Sequence, residues 1–271
     1  MTGLPLPDDL RFPAQAAADV GAYEAYFRID RAAPDLDGWT CTLLVAQRAL
    51  LADLPRAGLG DRDRADLLTG MALLADAALT AGARVREAPP SPSGPGTDAD
   101  SGHDDDPALV RWRLGHQIFH LQLTLMNTLL DAALAAAATA DSARLVALID
   151  RLVPLYDAAT AAMTYAASSD PGTYRDRVRP TMEPPFVGPG FSGVFNREHR
   201  EMARLMGALR RALKRLPEDA SAPDAVHAAA ARLRAAQARN RANHLRICEE
   251  CVPGGVSLLR DHLDNRPSPA P

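Results

Sequence analysis

The sequence predicts an all-α fold: long helices, broken by one long irregular aromatic segment. Three observations carry this. Alanine, the strongest helix former, is very abundant, while β-branched runs are scarce. Apolar residues recur at helical spacing over most of the chain. Proline and glycine concentrate in two interruptions with helical periodicity on both sides of each.

Taken in order, residues 1–17 contain proline and are expected to be irregular. A first helix is expected from about Val20 to Ala32 and a second from Gly38 to Leu54, with Asp37 and Gly38 where a cap belongs. A third should run from Asp61 to about Arg86, with Leu67, Leu68, Met71, Leu74 and Ala78 as its apolar face. Residues 88–106 read APPSPSGPGTDADSGHDDD. That composition packs no core and reads as a flexible loop. Pro107, a favoured first-turn residue, opens a helix to about Ala138. The next covers Asp141–Ser168, with Leu145, Leu148, Ile149, Leu152 and Leu155 facing the core; Pro154 should kink it. Residues 170–195 hold four glycines and five prolines, which forbids a regular helix, yet Tyr174, Phe186, Phe191 and Phe195 gather there. A long aromatic irregular segment between helices is usually functional. Helices return at Asn196–Leu216 and Ala222–Cys251, and residues 266–271 form a disordered tail. The organisation expected is a helical region 1–87, a loop 88–106, a helical core 107–262 and a tail from 263, together one domain.

Composition excludes several classes. The chain has 271 residues, long enough to bury a sizeable core. Its 30 basic and 34 acidic residues give a net charge of −4, without the basic excess of a non-specific nucleic-acid binder. The arginines between Arg232 and Arg246 read as the wet face of a helix. No apolar run is expected to reach membrane-spanning length, and MTGLPLPDDL does not resemble a secretion signal. Three cysteines without such a signal point to a reducing cytoplasm.

Histidines and cysteines carry the chemistry. In NHLRICEEC, His244, Cys248 and Cys251 are spaced to share one helical face. Imidazole and thiols on one face suit a metal or a covalently held cofactor, or else a polar histidine beside two buried cysteines. A structural zinc at His244, Cys248 and Cys251 needs a fourth ligand from elsewhere. His116 and His120 lie four apart on an apolar helix, without the glutamate of a metalloprotease motif; the alternative is a pair of hydrogen-bonded core histidines. His199 stands near a helix start, just after the aromatic segment. Phosphate-binding glycine motifs and a hydrolase elbow are absent.

Three segments in order resemble the superfamily of heme-dependent aromatic oxygenases, which includes the tryptophan and indoleamine dioxygenases and the bacterial histidine-ligated L-tyrosine hydroxylases. Gly115-His116-Gln117-Ile118-Phe119 is similar to the distal helix. Val178-Arg179-Pro180-Thr181-Met182, leading into Gly190-Phe191-Ser192-Gly193, is similar to the substrate segment. Asn243-His244-Leu245-Arg246-Ile247, followed by Pro253-Gly254-Gly255, is similar to the proximal helix and its glycine turn. His199, a long gap, then His244 and Cys248 resembles the tyrosine-hydroxylase branch most closely.

The resemblance implies a helical bundle enclosing heme, with the irregular aromatic loop over the site. It implies His244 as axial ligand, a thioether from Cys248, and His199 able to approach the iron's other side. It makes His116 the distal acid–base group and Arg179 the grip on a substrate carboxylate, with Phe191, Ser192 and Gly193 beside the substrate. Otherwise Arg179 caps a helix or pairs with Asp170 or Asp176. The reaction implied is hydroxylation of L-tyrosine or a close derivative to a catechol, with hydrogen peroxide or dioxygen, for secondary metabolism. A tryptophan-type dioxygenase is the alternative within the superfamily. The partners expected are a small aromatic amino acid, the oxidant and a second copy of the chain, without nucleic acid or membrane.

Overall fold

The computed structural model describes residues 18–29, 36–82, 106–189, 191, 196–215 and 223–252. Among these there is no strand, as the sequence predicts. The helices are α1 (Ala18–Phe27), α2 (Leu36–Asp53), α3 (Asp61–Thr80), α4 (Pro107–Ala138), α5 (Ser142–Ala166), a one-turn α6 (Pro171–Thr173), α7 (Arg197–Leu213) and α8 (Pro223–Cys251). Of the loop expected at 88–106 only Asp106 is described, as the cap of α4; residues 88–105 and the tail from 263 lie outside the described residues.

Local chemistry sets most boundaries. Asp106 accepts a hydrogen bond from the Ala108 amide, and Pro107 fills the first turn, so α4 starts where expected. Asp141 caps α5 through the Arg144 amide, and Asn196 caps α7 through that of His199. Three features differ from expectation. Helix α3 ends at Thr80, ahead of the expected Arg86, as Gly82 turns left-handed (φ 71°). Helix α1 stops at Phe27, five residues early, because Arg28 turns left-handed (φ 54°) and the Ile29 amide closes onto the Glu24 carbonyl. The 170–195 segment is partly helical. Asp170 and Pro171 start a turn that widens to a π-helix over Tyr174–Val178 and tightens to a 3₁₀-helix over Arg179–Met182. Pitch, rather than loss of helix, is what gives way there.

Helix α4 is central, packing along α5 and α7, while α5 packs along α8 and α3. Its length and composition would let it cross a membrane, contrary to the expectation above, but 67% of that apolar stretch is buried. It is the core helix of the bundle. Arg111 on α4 makes a two-pronged bond to Asp53 on α2 (2.7 and 3.0 Å), and the Tyr165 hydroxyl on α5 donates to the same carboxylate (2.9 Å). Arg111 accordingly holds the Asp53 carboxyl below its usual range.

Helices α5 and α8 run parallel and are joined by polar rungs. Arg232 reaches Asp150 (2.6 Å), Arg239 reaches Asp157 (2.7 Å), and Asn243 donates to Thr164 (3.1 Å). At Gly115 helix α4 approaches α5 closely. A Cβ there would lie 2.6 Å from the Ala166 Cβ and 3.0 Å from the Ala162 carbonyl oxygen. Backbone atoms form part of that wall, so a methyl group has to push the helices apart. Gly115→Ala should therefore lower stability by about 1–3 kcal/mol in urea denaturation. An unchanged midpoint would show that the helices part without cost.

Two apolar clusters result. The larger is the bundle core. The smaller joins Tyr23, Tyr26 and Phe27 of α1, Leu109 of α4, Tyr174, Val178 and Met182, Phe191, and Cys251 of α8.

Candidate active site

His116 borders the smaller cluster. Its Nδ1 lies 2.8 Å from the Trp112 carbonyl oxygen, which only accepts, so Nδ1–H donates and Nε2 keeps its lone pair. The Phe27 ring stacks on the imidazole at 4.0 Å and 15°, and the Trp112 ring lies at 4.3 Å. Burial pushes the pKa of His116 down to about 4 against the Trp112 bond, and the charge of His244 adds to the shift. The ring is therefore neutral near pH 7. The neighbouring Gln117 donates to the Phe27 carbonyl (2.9 Å), which fastens the end of α1 to α4.

His199 occupies the first turn of α7 and is partly buried. Burial lowers its pKa, and His244 lowers it further. His120 does not join it. The His120 Nδ1 lies 3.3 Å from Oε2 of Glu198, a carboxylate only 1% exposed. Asn127 on α4 donates to the Glu198 backbone carbonyl (3.1 Å). Asn127 thus ties the first turn of α7 to α4, and His120 faces the Glu198 carboxylate there, beside His199.

His244 is exposed on α8, with the Cys248 Sγ 3.9 Å from its Nδ1. Cys251 turns into the smaller apolar cluster. Burial raises the pKa of both thiols. Among the described residues no three histidine, cysteine or acidic side chains form a metal-holding group, so the zinc reading of His244, Cys248 and Cys251 gains no support. His244 adds to the downward shift at both His116 and His199, so the imidazole on α8 is felt electrostatically by those on α4 and α7.

Arg179 is 17% exposed at its side chain and pairs with Glu183 (3.4 Å) rather than capping the preceding helix. It also partly offsets the burial that raises the pKa of Tyr174. Phe191 is buried against Tyr26 (5.0 Å), Tyr23 (5.9 Å) and Phe27 (6.0 Å). Ser192 and Gly193 lie outside the described residues.

The sequence reading missed Tyr23, Tyr26, Phe27, Trp112 and Glu198. The first three were visible as an aromatic stripe at i, i+3 and i+4 in a chain with 5% aromatics. Glu198 carried no such signal, since a single acidic residue in a first turn usually just meets the helix dipole.

A family model described as SfmD 3-methyl-L-tyrosine peroxygenase matches residues 5–229. The chain belongs to that family. It is therefore an oxidoreductase of a heme-dependent peroxygenase family, in line with the resemblance read from the sequence. The match takes in His116, Arg179 and His199 and ends before His244 and Cys248. The crystal structure of reduced SfmD, soaked with sodium hydrosulfite, has the same fold. Its TM-score is 0.57 over 85% of this chain and 76% of that one, at 22% identity. No curated protein matches in sequence. The donor set fits heme: imidazoles on separate helices, with burial holding those of His116 and His199 neutral, and a thiol one turn from His244.

Proposed function

We propose that the protein hydroxylates the ring of L-tyrosine or a close derivative to a catechol, with hydrogen peroxide, in a biosynthetic pathway. The observation that carries this reading is His116, a neutral imidazole with a free Nε2 among aromatic rings and within the electrostatic reach of His244. Heme, when bound, supplies the redox chemistry. In the overall balance peroxide gives one oxygen to a ring C–H and leaves as water.

The chain's own residues do the rest. His244 would hold the heme iron through its imidazole, and Cys248, one turn away, would fasten the group to the chain as a thioether, its S–H hydrogen passing to the carbon beside the new C–S bond. His199, on another helix, would offer a second imidazole to the heme when no substrate is bound. The His116 Nε2 accepts a proton from peroxide and returns it to the departing oxygen. The aromatic rings of Phe191, Tyr23 and Phe27 exclude water and wall the substrate ring. Arg179 keeps its charge beside Glu183 (3.4 Å).

The test is turnover of L-tyrosine, 3-methyl-L-tyrosine and L-tryptophan by the heme-loaded protein, each with peroxide and with dioxygen. Gain of one oxygen on a tyrosine-type substrate with peroxide is expected. Gain of two with ring opening of tryptophan would replace this reading by the dioxygenase one.

A further inference from the structure

Acidic side chains are almost never fully buried unless they are paired, yet Glu198 is 1% exposed. It stands in the first turn of α7, where the positive end of the helix favours a carboxylate. Neighbouring helices add to this. The His120 Nδ1 on α4 lies 3.3 Å from the Glu198 Oε2, and Asn127, also on α4, donates to the Glu198 backbone carbonyl (3.1 Å). On α1, burial raises the pKa of the Tyr23 hydroxyl, Asn196 works against the rise, and the charge of Glu198 adds to it. The carboxylate is therefore felt on α1 as well as on α4.

Two consecutive residues of α4 meet two consecutive residues of α7. His120 faces Glu198, and the Phe119 ring lies 6.2 Å from that of His199, tilted by 44°. Side by side, these contacts set the height of α7 against α4 and also its rotation. Consecutive residues project about 100° apart around a helix axis. A fixed direction for Glu198 therefore fixes the direction of His199. The backbone has little freedom to absorb a turn at this point, because the His199 amide donates to Oδ1 of Asn196 (2.8 Å).

The structure assigns Glu198, seated against His120, as a positioning residue for His199: the pair holds α7 in the rotation from which that imidazole is offered to the heme. This rests on the reading of His199 as a second imidazole for the heme when no substrate is bound. Glu198 acts only through its neighbour, and its reach across to α4 is what matters.

The heme-loaded protein tests this without turnover. The readouts are the resting absorption spectrum and the affinity for added imidazole, which competes with His199 for the same place. Glu198→Asp keeps an acid at the helix start, which spares the fold, but shortens the arm by one methylene. It should move the spectrum towards that of His199→Ala. It should also bind added imidazole about tenfold more tightly than the parent, because the internal competitor is seated less often. Glu198→Gln keeps the reach and an oxygen for His120, and should match the parent in both measurements. His120→Ala removes the contact from the α4 side and should behave as Glu198→Asp does; it decides the matter if the Asp variant loses helical circular dichroism. Parental behaviour in a folded Glu198→Asp variant would overturn the proposal. So would a Glu198→Gln variant that behaves like His199→Ala, since charge rather than reach would then decide. A His199→Ala variant with the parent's spectrum would remove His199 from the heme, and this proposal with that reading.

Discussion

His244→Ala is expected to lose the parent's heme absorption band. Combined with Cys248→Ala, it should purify with at least about a hundredfold less heme, since even partners one step removed from a metal ligand are worth ten- to a hundredfold in affinity. The single variants separate the two anchors. Cys248 lies 3.9 Å from the His244 ring but donates no electron pair while its burial-raised pKa keeps it a thiol. Cys248→Ala should therefore keep the absorption band and release its heme into acidified organic solvent, where the parent's heme stays with the protein. Heme already extractable from the parent would make Cys248 a packed thiol. An unchanged spectrum in His244→Ala would move the axial role to His116 or His199.

The second large effect is expected at His116. His116→Phe keeps a ring against Phe27, so the packing survives while Nε2 is lost. The variant should bind heme and lose roughly 10²- to 10⁴-fold in kcat, the usual worth of a positioned acid–base group. Retention of parental kcat would leave His199 as the proton carrier. The depressed pKa also fixes a pH trend. The unfolded chain protonates this imidazole near its ordinary value of about 6.5, whereas the folded chain holds it neutral down to about 4. Between those values the unfolded state binds more protons, so stability falls as the pH drops through this window and is fully present above it. The shift at His199 has the same sign. His116→Phe should flatten the slope in acid denaturation of the heme-free chain; an unaltered slope would assign it to other groups.

How much of this was legible depends on the range of each signal. Helix starts at Asp106-Pro107, Asp141 and Asn196 follow from side chains bonding their own chain two or three residues on, and a sequence displays such signals directly. The stop at Phe27 was not legible, because an arginine at positive φ follows no composition rule. Proline and glycine content located the irregular segment but not its helical turns, which Asp170 starts from outside. Within the site, the helical spacing of His244 and Cys248 gave their neighbourhood. Spacing misled for His120: four residues from His116, it turns to Glu198, 78 positions further along the chain. The ring of Phe27 reaches His116 on α4 across a separation of about ninety residues, with only its aromatic stripe as a hint.

The rungs between α5 and α8 bear on more than adhesion. Asp150, Asp157 and Thr164 recur every seven residues; on α8, Arg232 and Arg239 keep that step, and Asn243 follows Arg239 one turn on. Such a repeat fixes the rotation of α8 as well as its height, as teeth index a shaft. His244 follows the last tooth directly. One residue inserted between Asn243 and His244 would leave every rung made yet turn the imidazole by about 100° around the axis. For this stretch of chain the count of residues, rather than any exposed side chain along it, decides which way His244 faces.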